Sequence, residues 1–166
     1  MDSLIFQKAE EKDLETMLEI YNFYLVTTTA TFDHGKISRE ELLHRIFIGH
    51  EKYQTYLIRY HNETAGFCFL TQYRKKEAYD RTAEIGIYLK PEFTGKGIGE
   101  IAVAFLEKVA ISKQIRVILA SISGENTASM KLFQSIGYEQ CAHYKEVAEK
   151  FGRLLDIVDY EKILVN

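Results

Sequence analysis

Residues 83–99 read AEIGIYLKPEFTGKGIG, an alternating apolar stretch that ends at Pro91 and runs into a turn holding Gly95, Gly97 and Gly99. The alternation predicts a strand and the proline ends it. Ile98, Ile101, Ala102, Phe105, Leu106 and Val109 then recur at helical spacing and are expected to point inward. Glycine at every second position lets backbone amides approach a bound group without Cβ atoms in the way. Those amides and the positive end of the following helix suit an anion such as phosphate, at roughly 0.3–1 kcal/mol per helix-end interaction. Two familiar phosphate motifs are excluded by spacing. A dinucleotide fingerprint needs a third glycine where Glu100 stands, and a P-loop needs Ser or Thr after Lys96, where Gly97 stands. Taken alone, the string is equally a plain turn between a strand and a helix.

Outward from this stretch the chain alternates readable elements. Upstream, residues 54–60 and 64–71 read as strands joined around His61, Asn62 and Glu63. Residues 3–8 predict a first strand, and Leu14, Met17, Leu18, Tyr21 and Leu25 a helix behind an acidic first turn. The β-branched run 27–32 predicts a loop. Ser38 to Glu41 forms a capping-box pattern that opens a second helix, with Leu42, Leu43, Ile46 and Phe47 on one face. Downstream, residues 116–122 predict a buried strand. Beyond Asn126 a short helix carries Met130, Phe133 and Ile136, closed by Gly137 in a left-handed cap. Residues 138–150 and 153–164 alternate as two strands around a turn at Phe151 and Gly152. The order is that of an α+β fold in a single domain over 1–166.

Composition narrows the function. With 46% hydrophobic residues and one proline in 166, the chain is expected to fold rather than stay disordered. A net charge of −3 offers no basic surplus, so nucleic acid is not an expected partner. Cys68 and Cys141 form no CxxC, and both are expected to be reduced and buried. His34, His44, His50, His61 and His143 are scattered, so no metal is expected. No apolar run approaches ~18 residues and the start lacks a basic leader, so the expectation is a soluble cytoplasmic protein without a membrane partner.

Five ordered segments together resemble the GNAT acetyltransferase superfamily, and within it the phosphinothricin acetyltransferase branch. They are YNFYLVTTTATFD (21–33), YRKKEAY (73–79), AEIGIYLKP with TGKGIG (83–99), ISGENTASMKLFQSIGY (122–138) and KFGRLLD (150–156). The resemblance implies a mixed, mostly antiparallel central sheet flanked by helices, with acetyl-CoA as cosubstrate. The family's cofactor pattern falls on Thr94, Gly95, Lys96, Gly97, Ile98 and Gly99, with Thr94 standing where the family has Gln or Arg. Ile87, Tyr88 and Leu89 would offer main-chain groups to the pantetheine arm, a β-augmentation by a cofactor. Asn126 would bond the same arm, or serve simply as a helix N-cap.

The same resemblance places the family's catalytic glutamate on Glu84. Direct transfer to an amine needs two reactants held in line and a proton removed from the ammonium, without a covalent enzyme intermediate. At pH 7 roughly 10% of an α-amine of pKa ~8 is already neutral, against ~0.04% of a lysine amine, so an α-amine needs only modest help. Many relatives carry a tyrosine acid where this chain has Phe133. Tyr73, Arg74, Lys76, Tyr79 and Phe151 are the implied acceptor residues, Arg74 because a guanidinium grips a carboxylate or phosphinate through two bonds. Leu154 replaces a tryptophan common in the family. The implied activity is acetylation of the α-amine of a small anionic amino-acid-like compound, of phosphinothricin or methionine sulfone or sulfoximine type, by a homodimer. Another amine, such as a polyamine or protein N-terminus, and a non-catalytic acyl-CoA sensor are the alternatives.

Overall fold

A seven-stranded sheet organises the computed structural model, which describes residues 4–165. The strands are β1 (Leu4–Lys8), β2 (Thr55–Tyr60), β3 (Glu63–Gln72), β4 (Thr82–Leu89), β5 (Val117–Ser123), β6 (Glu139–Lys150) and β7 (Arg153–Ile163). The expected start of the first strand at residue 3 lies outside the described residues. Sheet order is β1-β2-β3-β4-β5-β7-β6, and every pair is antiparallel except β4 with β5. Four α-helices flank the sheet among the described residues: α1 (Leu14–Thr27), α2 (Arg39–Leu43), α3 (Ile98–Ser112) and α4 (Thr127–Ser135). The mixed, mostly antiparallel sheet expected from the sequence is the one found.

Local chemistry explains most element ends. Ser38 and Glu41 close the expected capping box of α2, with Ser38 Oγ accepting from the Glu41 amide at 3.2 Å. The β2–β3 turn places His61 and Asn62 at φ 47° and 66°, the left-handed pair that a two-residue hairpin requires. Phe151 and Gly152 repeat that device between β6 and β7, at φ 52° and 71°. Gly137 has φ 87° beyond α4, as its left-handed cap predicts.

Two layers of core cover the sheet. On one face Ala102, Val103, Leu106 and Ala110 of α3 pack with Ile58, Leu70, Ala83 and Ile118. On the other, Leu14, Met17, Tyr21 and Leu25 of α1 and Leu42 of α2 pack on Leu57, Phe67 and Phe69. Gly86 belongs to this second face and sits under the Phe69 ring, so close that a Cβ there would lie 2.2 Å from Phe69 Cζ.

Three expectations are corrected. Ile101 is 51% exposed and Val103 takes its inward place, because the buried stripe of α3 runs through 98, 102, 103, 106 and 110. The second helix ends at Leu43, and Ile46 is buried from the irregular chain that follows. Cys68 is buried on β3, but Cys141 is exposed because β6 is the outermost strand.

The parallel pair positions the site. β4 and β5 are joined by a crossover through α3, and they pair only at Thr82–Val117, Ala83–Ile118 and Glu84–Leu119. Beyond Glu84 they part. β4 continues against β3 to Leu89, while β5 continues against β7 to Ser123.

Candidate active site

The split leaves one edge of β4 open. The Lys90 amide donates to the Ala65 carbonyl at 2.8 Å. By the alternation of an antiparallel ladder, even-numbered residues of β4 therefore give their main chain to β3, and Ile85, Ile87 and Leu89 turn theirs to the open edge. The Leu89 carbonyl accepts from the Tyr24 hydroxyl of α1. The groups left for a ligand are those of Ile85 and Ile87. The expectation of a main-chain role for Tyr88 is corrected by this parity. Its side chain instead lies among Tyr21, Tyr24, Phe67 and Phe69, with ring centroids 5.0–6.3 Å away. Burial raises the Tyr88 phenol well above the ordinary tyrosine pKa.

A cavity of about 830 Å³ fills the split between β4, β5, the start of α3 and α4. Ile87, Tyr88, Leu89, Thr94, Gly95, Gly97, Ile98, Gly99 and Asn126 all border it. Gly95 and Gly97 have φ 70° and 75°, and a Cβ on either would meet nothing within 4 Å. Both glycines are thus required by backbone conformation, and the space above them is open to a ligand. Gly97 is the N-cap of α3, whose first-turn amides lack helical partners. Gly99 differs: a Cβ there would lie 3.1 Å from Leu132 Cδ2, so it serves the approach of α3 to α4. Thr94 Oγ1 donates to the Pro91 carbonyl at 2.7 Å and closes the short 3-10 turn Pro91–Phe93. Lys96 is not part of the lining; it is exposed, with Nζ 5.2 Å from the Phe93 ring centroid. Asn126 is the N-cap of α4, its Oδ1 accepting from the Ser129 amide at 3.1 Å.

Glu84 stands where the strands part, outside the cavity lining and on the sheet face shared with Gly86 and Tyr88. It is half-buried. Burial, and secondarily the Asp159 carboxylate, raise its pKa above the ordinary glutamate value. Across the β3–β4 connection Arg74 lies over two rings, 5.0 Å from the centroid of Tyr73 and 5.3 Å from that of Tyr79. Arg74 and Lys76 are exposed. Phe151 is elsewhere, on the β6–β7 turn, 51% exposed and in left-handed conformation. It borders a second cavity of about 480 Å³ with Leu25, His34 and Lys150. The structure therefore gathers nine of the ten cofactor candidates around one cavity, and leaves Lys96, Phe151 and the Tyr73–Tyr79 connection outside it.

Phe133 borders the cavity too, edge-on to Tyr138 at 4.9 Å. The sequence reading missed Tyr24, Ala30 and Ser121 as lining residues. Tyr24 and Ala30 belong to the quoted stretch 21–33, but helical periodicity selected only Tyr21 and Leu25 from it. Among the described residues no group of three or more His, Cys, Asp or Glu is placed to hold a metal ion.

The mixed sheet thus splits between its parallel strands, with a glycine turn that faces open space at one end of an unpaired strand edge and a half-buried carboxyl group at the other. The acetyltransferase (GNAT) domain family matches residues 6–158, so the chain belongs to the GNAT acetyltransferase family and is an acyltransferase. It is 31% identical over 159 residues to a phosphinothricin N-acetyltransferase of Streptomyces coelicolor, covering 93% of this chain and 92% of that one. The fold matches a GNAT superfamily phosphinothricin acetyltransferase of Sinorhizobium meliloti in complex with AcCoA, with TM-score 0.90 and 27% identity over 98% of this chain and 88% of that one. It also matches a ribosomal-protein-alanine N-acetyltransferase of Brucella melitensis, with TM-score 0.86 and 28% identity over 96% and 99% of the two chains.

Proposed function

We propose that this protein acetylates the α-amine of a small anionic amino-acid-like compound, of phosphinothricin or methionine sulfone or sulfoximine type, by direct transfer from acetyl-CoA in a ternary complex. One observation carries this reading: the eight residues of β4 join Glu84 to the glycine turn along an edge that β5 leaves open. The residues fit acetyl-CoA, because the positive-φ turn faces open space and the unpaired strand edge at Ile85 and Ile87 leads up to it. Bound acetyl-CoA supplies an acyl group activated as a thioester.

The chain's own groups do the rest. Amides from Gly95 to Gly99 hold the pyrophosphate at the start of α3. Ile85 and Ile87 offer main-chain bonds to the pantetheine amides, and Asn126 borders the same channel. Glu84, with its raised pKa, accepts the ammonium proton directly or through one water. Arg74 receives the acceptor's acid group, its guanidinium oriented by Tyr73 and Tyr79. Lys76 adds positive charge beside it, and Phe151 closes the acceptor pocket only if the β6–β7 turn is brought near. Phe133 has no proton to give, so the thiolate leaves unassisted, which a pKa of ~8.5 allows near neutral pH.

Homodimerisation is proposed through the β6–β7 hairpin, where Tyr144, Val147, Leu154 and Ile163 are exposed at the sheet's end. The cytoplasm, a reducing compartment, suits the two free cysteines. A protein N-terminus is the second reading, favoured by the likeness to the ribosomal-protein-alanine enzyme.

Release of free thiol from acetyl-CoA is the test, with phosphinothricin, methionine sulfone, polyamines and alanine-starting peptides as acceptors. Turnover with the amino-acid analogues is expected. Turnover only with peptides or polyamines would replace the substrate class, and acetyl-CoA binding with background rates for every acceptor would overturn the reading.

A further inference from the structure

The sheet face that carries Glu84 continues across the split. Glu84 is in register with Leu119 of β5, and Leu119 with Glu161 of β7. One step along, Ser121 of β5 is the cross-strand partner of Asp159, and its hydroxyl donates to Asp159 Oδ1 at 2.7 Å. Ser121 also borders the large cavity. Asp159 therefore stands beside the wall of the split, about 12 Å from Glu84 by ideal Cα spacing, with the two side chains on one face.

We propose that Asp159, oriented by the Ser121 hydroxyl, is a positioning residue that draws the acceptor's ammonium to the point where β4 and β5 part, beside Glu84. This rests on the reading of Glu84 as the proton acceptor. The cross-strand bond spends one lone pair of one Asp159 oxygen and leaves the carboxylate charge in place. A carboxylate so held attracts the protonated amine, and its charge also works against ionisation of Glu84, which keeps that group a stronger base.

Beside Asp159, the Cys141 thiol of β6 donates to the Asp159 carbonyl at 3.4 Å, and burial first, then the Glu161 and Asp159 carboxylates, raise its pKa. Glu161 is level with Leu119 and Glu84, about 10 Å from Glu84 by ideal Cα spacing, but it stands where β4 and β5 are still paired and not beside the open split, and Glu139 of β6 is its cross-strand neighbour. Tyr21, Tyr24 and the Arg45–Asp33 ion pair surround Tyr88, four residues along β4. Lys52 is paired with Asp80 at 3.1 Å, and Arg74 with its two tyrosines lies beyond the end of β3.

The test uses the full chain with methionine sulfone as acceptor. Asp159→Asn is expected to raise the acceptor KM about tenfold, equivalent to about 1.4 kcal/mol, with acetyl-CoA KM unchanged. It is also expected to move the acid limb of kcat/KM to lower pH, and Asp159→Glu to restore both. Titration of Glu84 in the free protein, followed by its carboxyl carbon shift, should move to lower pH in Asp159→Asn without any turnover. Glu84→Gln in the same assays separates the two ideas. If it leaves the acid limb in place, the reading of Glu84 fails, and the acceptor KM of Asp159→Asn still decides the role of Asp159. If it abolishes the limb while Asp159→Asn changes neither acceptor KM nor the Glu84 titration, the inference about Asp159 is overturned.

Discussion

The Tyr24 hydroxyl of α1 donates to the Leu89 carbonyl, 2.5 Å away, at the last residue of β4. The bond ties the helix over one face of the sheet to the strand edge that β5 leaves unpaired. Tyr24→Phe keeps the ring contacts with Phe23 and Tyr88, at 5.5 and 5.4 Å, and removes only the hydroxyl. The expected cost is about 1 kcal/mol, a fall in Tm of about 2–4 °C for a chain of this size. Thermal unfolding measures it; an unchanged Tm would mean that the bond adds nothing beyond what water supplies.

Glu84 is expected to trade stability for activity. Its folded pKa is raised, by burial first and by Asp159 second. The protonated form is therefore favoured in the folded state. The associated stability is fully present below the unfolded value of ~4.3 and is lost as pH rises through the higher folded pKa. Glu84→Gln should raise Tm at pH 7–8, with the gain shrinking toward pH 4, while lowering kcat/KM about 10²-fold or more. A variant less stable than the parent at pH 7 would contradict the sign.

Gly97 and Gly99 should respond differently to alanine. At Gly97 the penalty is the left-handed backbone alone, about 1–2 kcal/mol, because a Cβ there meets nothing. The loss falls on the N-cap of α3, so acetyl-CoA KM is expected to rise with it. At Gly99 the Cβ meets Leu132 Cδ2 at 3.1 Å, a side-chain end that can shift, and the backbone is unstrained. Acetyl-CoA titration of both variants checks the contrast; equal losses of affinity would remove the conformational argument for Gly97.

Arg74 lies over Tyr73 and Tyr79 as a flat guanidinium. Arg74→Ala is expected to raise the acceptor KM about tenfold or more and leave acetyl-CoA affinity alone. Arg74→Lys should recover little, because an ammonium neither stacks between rings nor grips an acid group through two bonds. Steady-state kinetics in both substrates decide it, and an effect confined to acetyl-CoA would reassign the residue.

What was legible without coordinates had short-range causes. The capping box at Ser38 and Glu41, the hairpin at His61 and Asn62 and the glycine turn all act within a few residues, where neighbours alone set φ and hydrogen bonding. Helical and strand periods located every major element for the same reason. They failed at Ile101, where one turn of helix decides between core and solvent according to which neighbour the helix meets. The resemblance, read along the whole chain, supplied the family and the candidate residues.

Only the tertiary structure decided where β4 and β5 part, which strand edge stays open, and that Lys96 and Phe151 lie away from the large cavity. It alone joins Tyr24 to Leu89, 65 residues apart, and Ser121 to Asp159, 38 apart. It also buries Lys150, whose Nζ donates to the Thr31 carbonyl at 2.7 Å across 119 residues. Such pairs are created by strand order and register, which depend on how the whole set of apolar faces packs. By itself, then, the sequence determined the elements and the amide cradle, because local sterics suffice for them. The partners of Glu84 follow from the fold, because charge and burial at a carboxylate are set by whatever distant strands bring beside it.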